Sequence, residues 1–537
     1  MNLRRHDCEG ELPTDFSGPK ATATRQVASA TRPVVRVIGG GLAGPEAALT
    51  AARLGCQVDL YEMRAMVDGK PRLTPAHQTT EFGELVCSNS LKSESPDTAP
   101  WLLKQEMRRA GSALLRIADQ TAVPAGHALA VDRVEFSRRL AEAIAAEPNI
   151  RVFREEVTSL VQDEDGPKGC TILATGPLTS DALSTEIERI TGSGHLAFYD
   201  SISPIVEADS IDMSRVYMAA RWDKGTADYI NCPMDRAEFD RFLDALLAAE
   251  AAESKEWEKL EYFPPHAPSA GAWGPRYFEG CLPIEILARR GRDTLRFGPM
   301  KPVGLRDPRT GKTPWAVVQL RKENLRADSY NLVGFQNHLK FGEQARVLRL
   351  IPGLENARFL RYGQIHRNTY ICAPALLDET LRLSRACHPE RSLERSLLQT
   401  EPKDLRFETQ SRHTLMFAGQ LSGVEGYTES IATGLLAGIY AAALVRGKEP
   451  APAPRACALG SLVHYITHAD PKDFQPANIT FDLLEPLEEE LRKKIRDKKE
   501  RHRIVCERAL AAFDAWWAAT ASEALIPLSI PPAEPGA

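Results

Sequence analysis

Two cysteines, a glycine cluster and one glutamate stand out in this sequence as residue types that do chemistry. Cys87 lies in FGELVCSNSLKS (82–93), after the apolar pair Leu85 and Val86 and before Ser88, Asn89 and Ser90. Cys232 lies in DYINCPM, where Pro233 biases it away from helix and fixes a turn. Neither has another cysteine at CxxC or CxxxxC spacing, which argues against a redox pair of the disulfide-reductase kind. What remains is a packing thiol or a nucleophile. A thiolate attacks an electron-poor carbon, and a second thiol can move the proton or guard a cofactor. The residue types leave both readings open.

The glycines are easier to place. Gly39, Gly41 and Gly44 have GxGxxG spacing within IGGGLAGPEAALTAARLG. They follow a β-branched run, 34–38, and open an alanine-rich helix ending near Gly55. A second strand, CQVDLYE, ends in Glu62, eighteen residues after Gly44. This is a dinucleotide-binding βαβ unit in its required context. Gly39 makes the tight turn, Gly41 lets the backbone approach a pyrophosphate, and Gly44 lets the helix pack close to the strand. Gly40, Leu42 and Ala43 complete the phosphate loop at the helix N-terminus, and Glu62 is placed for the ribose hydroxyls.

Two further segments favour FAD over a nicotinamide as the resident dinucleotide. CTILATGPLTS (170–180) is a buried strand ending in Ala174-Thr175-Gly176. HTLMFAGQLSGVEGYTESIATGLLAGIYAA (413–442) is a strand, then Gly419-Gln420, then a small-residue helix that suits the ribityl chain and ring. No second GxGxxG occurs, so NAD(P)H would visit the flavin transiently. The expected fold is α/β: a Rossmann-like FAD-binding domain of the two-dinucleotide type with an inserted α+β domain.

The rest of the chain bounds that reading. With 537 residues, 43% hydrophobic and 26% charged, it is long enough for two or three domains. No apolar run approaches a membrane span and no signal-type stretch opens the chain, so no membrane and a cytoplasmic location are expected. Ten scattered cysteines argue against a disulfide framework, and without CxxC or HExxH no metal site is expected. The domains read as a disordered extension over 1–32 and a FAD-binding domain over 33–197 and 329–446 with a surface loop at 386–412. An inserted substrate domain spans 198–328, and a helical segment with a Pro-rich tail spans 447–537. The net charge is −5, yet residues 289–326 carry eleven Arg/Lys against three Asp/Glu, mixed with Phe297 and Trp315. That mixture is closer to a nucleic-acid surface than to a solvated helix face, whereas the basic run at 492–503 reads as such a face.

TTEFGELVCSNSLKS, VPAGHALAVDRVEFS, YINCPM, GFQNHLKFGEQ, RYGQIHRNTYICAP, FAGQLSGVEGYTESIATG and ADPKDFQPANITFDLLEPL follow one another in order. With GGGLAG they resemble the signature blocks of the folate- and FAD-dependent tRNA uracil-5-methyltransferases, over about residues 34–500. The resemblance implies reductive methylation of uridine 54 in the TΨC loop of tRNA, with 5,10-methylenetetrahydrofolate as carbon donor and FAD and NAD(P)H as reductants. The alternatives are a sister-type wobble-uridine modifier and a non-RNA flavin oxidoreductase. No protein partner is evident for the first reading. Family membership makes Cys87 and Cys232 the catalytic candidates: Cys232 as nucleophile toward uracil, Cys87 near the flavin ring as base or guard. His366, Arg367 and Asn368 become candidates for the folate or tRNA pocket. Arg289, Arg290, Arg321 and Lys340 become candidates for tRNA phosphates, and Lys92 for tuning a nearby thiol. Phe341 stands where this family often has tryptophan.

Overall fold

The computed structural model describes residues 34–74, 76–160, 169–192, 196–201, 203–223, 226–252, 282–363, 365–384 and 413–523. The extension expected over 1–32, the loop expected over 386–412 and the Pro-rich tail lie outside the described residues.

Val34–Ile38 is the middle of a five-stranded parallel sheet. It pairs with Gln57–Tyr61 on one side and Gly169–Leu173 on the other, with Ile150–Phe153 and His413–Phe417 at the edges. Val35 and Val37 are fully buried, as β-branched residues suit a strand covered on both faces. The helix Ala43–Arg53 returns the chain to the second strand and stops where Gly55 takes φ 83°. Tyr427–Leu444 packs against it and is buried along nearly its whole length. The helix Ala458–His468 joins the same core. Its first amides, those of Ala458 and Leu459, donate to the fully buried Glu106 at 2.7 and 2.8 Å, and burial pushes the Glu106 carboxyl up to about 8. This is the expected Rossmann-like α/β architecture.

The second core surrounds an antiparallel sheet. Its order is Tyr217–Met218, Ile230–Met234, Ala316–Lys322, Ser329–Leu332, Ile205–Glu207 and Phe359–Arg361. The helix Arg236–Ala248 covers it and opens with a capping box: Asp235 accepts from the Glu238 amide at 2.8 Å and Glu238 accepts from the Asp235 amide at 2.9 Å. Phe239, Phe242, Leu243 and Leu246 form its buried stripe. The chain enters and leaves this region through one antiparallel ribbon, Leu196–Ser201 against Ile365–Tyr370.

The end of this region differs from the expected boundary at 328. Ser329–Leu332 is buried on both faces and pairs with Ala316–Lys322 and Ile205–Glu207. The helix Phe341–Leu348 buries Val347 and Leu348 in the same core as Phe242. Residues 329–361 therefore belong with the inserted sheet. The change from basic to mixed composition near 328 marks a surface property, while the sheet needs Ser329–Leu332 as an interior strand.

Candidate active site

All five parallel strands point their C-terminal ends at one edge. Strand order reverses beside Val34–Ile38, which opens a crevice there. A cavity of about 390 Å³ fills it, lined by Gly39, Gly40, Gly41, Leu42, Ala43, Glu62, Gly419 and Gln420, together with Thr175, Gly176, Cys87 and Tyr427. Every expected cofactor residue except Gly44 thus lines one cavity. Gly44 lies beneath it: a Cβ there would sit 1.8 Å from the Gly39 carbonyl oxygen. A Cβ on Gly41 would meet nothing within 4 Å, so its backbone faces open space of the kind a pyrophosphate needs. Glu62 is held in the wall by the Gly40 amide at 2.8 Å and by the buried Arg64, whose Nε lies 3.0 Å away. Burial works against the Glu62 charge, but Arg64 and the Gly40 amide hold its carboxyl below the usual range. The loop, the helix N-terminus, the terminal acid and the open face of Gly41 together fit FAD.

Cys87 lines this cavity on a loop that hydrogen bonds fix from both cores. Its amide donates to Tyr427 Oη at 2.7 Å, and the Ser88 amide to the same oxygen at 3.3 Å. Asn89 donates to the carbonyls of Val131 and of Lys322, on the inserted sheet, at 3.0 and 2.9 Å. This explains the polar SNS after the thiol: those residues tie a loop across a domain junction. Arg133, at the start of the helix Arg133–Ala146, donates to the carbonyls of Leu85 and Cys87 and pairs with Glu323. Burial opposes the Arg133 charge, but Glu323, Tyr427 and Cys87 hold it above its ordinary value. Arg361 also lies within electrostatic range of Cys87. Burial, with repulsion from Arg133, holds it below its ordinary value. Tyr427 is pushed up by burial and by Cys87. Lys92 lines the cavity but is paired with Glu429 at 2.6 Å and with Asn478.

Cys232 is elsewhere. It lies on Ile230–Met234, opposite Val318, with no exposed surface and apolar neighbours from the second core. Burial pushes its thiol up. A thiol with no exposed surface inside an apolar core is out of reach of a base in this conformation, unlike Cys87, which lines the cavity. The sequence marked its rigid Pro-flanked setting but carried no signal of which face the side chain takes.

The remaining candidates are dispersed. Arg289 and Arg290 are exposed at the end of the helix Ile284–Arg289 and do not line the cavity. Arg321 is buried and not placed for phosphate; Lys340 pairs with Glu250 at 2.6 Å. His366 and Arg367 lie on the ribbon opposite Asp200 and Tyr199. Asn368 beside them is 1% exposed, and neither its Nδ2 nor its Oδ1 has a hydrogen-bond partner among the described residues. Phe341 is exposed and stacks on Tyr362 at 5.4 Å. One surface group among the described residues, Glu379, His464 and His468, brings metal-ligand atoms within 4.8 Å of one another, away from the cavity lining. Tyr427, Arg133 and Arg361 were not among the residues expected from the sequence. All three sit inside the quoted blocks, at GVEGYTES, AVDRVEFS and RYGQIHRNTY, but they come to Cys87 only in the fold, from 46 residues away for Arg133 and 340 for Tyr427.

A family model described as glucose inhibited division protein A matches residues 34–388 and 394–449. A methylenetetrahydrofolate--tRNA-(uracil-5-)-methyltransferase TrmFO of Koribacter versatilis is 62% identical over 484 residues, covering 90% of this chain and 98% of that protein. Its namesake from Solibacter usitatus is 57% identical over 486 residues, with the same coverage. Among solved structures, GidA of Aquifex aeolicus superposes with a TM-score of 0.59 at 17% identity, over 92% of this chain and 75% of that one, a likeness of fold. The chain belongs to the methylenetetrahydrofolate--tRNA-(uracil-5-)-methyltransferase family, TrmFO.

Proposed function

We propose that the protein methylates carbon 5 of a tRNA uridine, position 54 of the TΨC loop, taking its carbon from 5,10-methylenetetrahydrofolate. The observation that carries the reading is the match over 98% of the relatives' own length at up to 62% identity. FAD, when bound, supplies the two electrons that reduce the transferred carbon to methyl, and NAD(P)H restores them. The protein's own residues supply the rest. Carbon 5 of uracil is a poor nucleophile until a thiolate adds to carbon 6. Cys87 is the thiol we assign to the reacting atoms, because it lines the cavity and faces Arg133 and Arg361. Cationic neighbours favour the thiolate. Tyr427 and Arg133 hold the backbone on either side of it. A base buried in a folded tRNA loop reaches such a cavity only after leaving its stack.

The test is transfer of label from methylenetetrahydrofolate to unmodified tRNA, with NAD(P)H. Cys87→Ala abolishes labelling; Cys232→Ala retains it. Full labelling by Cys87→Ala overturns the assignment of Cys87, and labelling that does not depend on folate overturns the reaction. Cys281, outside the described residues, supplies a third arm: its alanine variant tells whether a second thiol from the inserted region takes part.

A further inference from the structure

Trp222 has a backbone conformation that bulky residues avoid. Its φ and ψ are 63° and 21°, in the left-handed region, where a Cβ-bearing residue pays on the order of 1–2 kcal/mol. Its ring is 63% exposed. A strained and solvated tryptophan persists only where surrounding structure imposes it. Here the imposing element is the loop 301–304. The Trp222 amide donates to the Gly304 carbonyl at 2.6 Å. Gly304 itself, at φ 82°, lies flat under the indole: a Cβ there would sit 2.8 Å from Cε2 and Nε1. Arg221 ties the two loops, donating to Val303 O at 2.8 Å and to Gln319 Oε1 at 3.0 Å. One face of the indole is therefore backed by backbone and the ring stands open to solvent.

The loop that backs the ring is basic. Lys301 within it and Arg306 and Lys312 just after it are exposed, and the intervening Asp307 is neutralised by Arg309 at 2.7 Å. A fixed aromatic face backed by a segment that carries three exposed cations within eight residues of Gly304 along the chain has the chemistry of a single-stranded nucleic acid platform, with base on ring and phosphate on cation. We propose that Trp222 is a stacking platform for an unpaired base of the RNA substrate, with Lys301, Arg306 and Lys312 holding the adjoining backbone. The inference rests on the tRNA reading above and identifies which surface of the inserted domain meets the RNA. It differs from the earlier expectation for Trp315, whose indole is covered by Arg296 at 3.6 Å.

The test is binding of unmodified tRNA to the flavin-loaded protein, over a range of salt, with Trp222→Ala, Trp222→Phe and Lys301→Gln/Arg306→Gln. Trp222→Ala weakens binding and raises the KM for tRNA by about tenfold, in the range of one lost base stack. Its salt slope stays parallel to that of the parent protein, because stacking releases no counterion. Trp222→Phe recovers most of the affinity. The double Gln variant lowers the slope by about two. Flavin content and melting temperature report folding. Unchanged binding by Trp222→Ala, or a Phe variant no better than Ala in a flavin-loaded protein, overturns the platform. Tenfold weaker binding by Trp222→Ala, in a parent that binds tRNA but transfers no methyl group, upholds the platform and removes the reaction.

Discussion

The parallel-sheet region and the inserted antiparallel sheet each carry one of the two conspicuous cysteines, and they hold them in opposite settings. Parallel strands deliver all their C-terminal ends to one edge, so loops from 39, 174 and 419 converge there with no strand left to cover them. Cys87 is on a loop reaching that edge. An antiparallel sheet alternates its ends and buries its middle strands. Cys232 sits in such a strand and becomes packing. The inserted region offers its chemistry on its surface, through exposed cations and Trp222. The same residue type therefore has a different setting because topology decides whether its neighbours line a cavity or fill an apolar core.

The most severe test of this contrast is the pair of alanine variants. Cys87→Ala is expected to lose roughly a thousandfold or more in methyl transfer. Cys232→Ala is expected to keep activity within a few-fold and to lose about 1–2 kcal/mol of stability from the small cavity. An inactive but folded Cys232→Ala would break the contrast.

Next come two glycines. Gly44→Ala drives a Cβ into the Gly39 carbonyl at 1.8 Å, where backbone cannot yield without opening the phosphate loop. A loss of more than about 3 kcal/mol, with loss of bound flavin, is expected by thermal melting and flavin absorbance. Gly311→Ala in the inserted region meets no atom within 4 Å and has only its φ of 68° against it, a cost of about 1 kcal/mol. Equal effects would show that the loop at 39–44 tolerates expansion.

Stability against pH probes the inserted core itself. Glu285 is 3% exposed, with one oxygen on the His338 amide at 2.8 Å and the other without a partner among the described residues. Burial raises its carboxyl to about 7. In the unfolded chain this carboxyl ionises near 4.5, the ordinary value for glutamate, while in the folded chain it keeps its proton to higher pH. The Glu285 contribution to stability is therefore full below about 4.5, falls as pH rises to about 7, and is gone above that. Its span is at most on the order of 3 kcal/mol. Denaturant midpoints between pH 5 and 8 should show this slope, and Glu285→Gln should lessen it, leaving the part that Glu106, raised to about 8, contributes. The smallest expected effect belongs to Arg133→Met, which should slow alkylation of Cys87 several-fold at fixed pH by removing a nearby positive charge. Unchanged alkylation would leave Arg133 as a backbone clamp alone.

Much of the cofactor site was legible because its rules are local. A glycine spacing between a strand and a helix specifies a turn whose geometry depends on those few residues, and eight of the nine expected positions line the cavity. The fold class followed from the same unit. The insertion's end was misplaced because charge composition reports the surface, whereas Ser329–Leu332 is held by pairing on both edges. The thiols could not be ranked from their flanking residues, since CSNS and NCP both describe constrained loops or turns.

The sequence by itself determined the βαβ unit, the isolation of the thiols, and the basic surface of the inserted region, because each depends on residues close along the chain. Tertiary structure alone decided that Cys87 meets Tyr427, Arg133 and Arg361, that Cys232 faces an apolar core, and that Gly304 lies under Trp222. Those outcomes depend on which distant segments exclude water together, and burial and charge act through space rather than along the backbone.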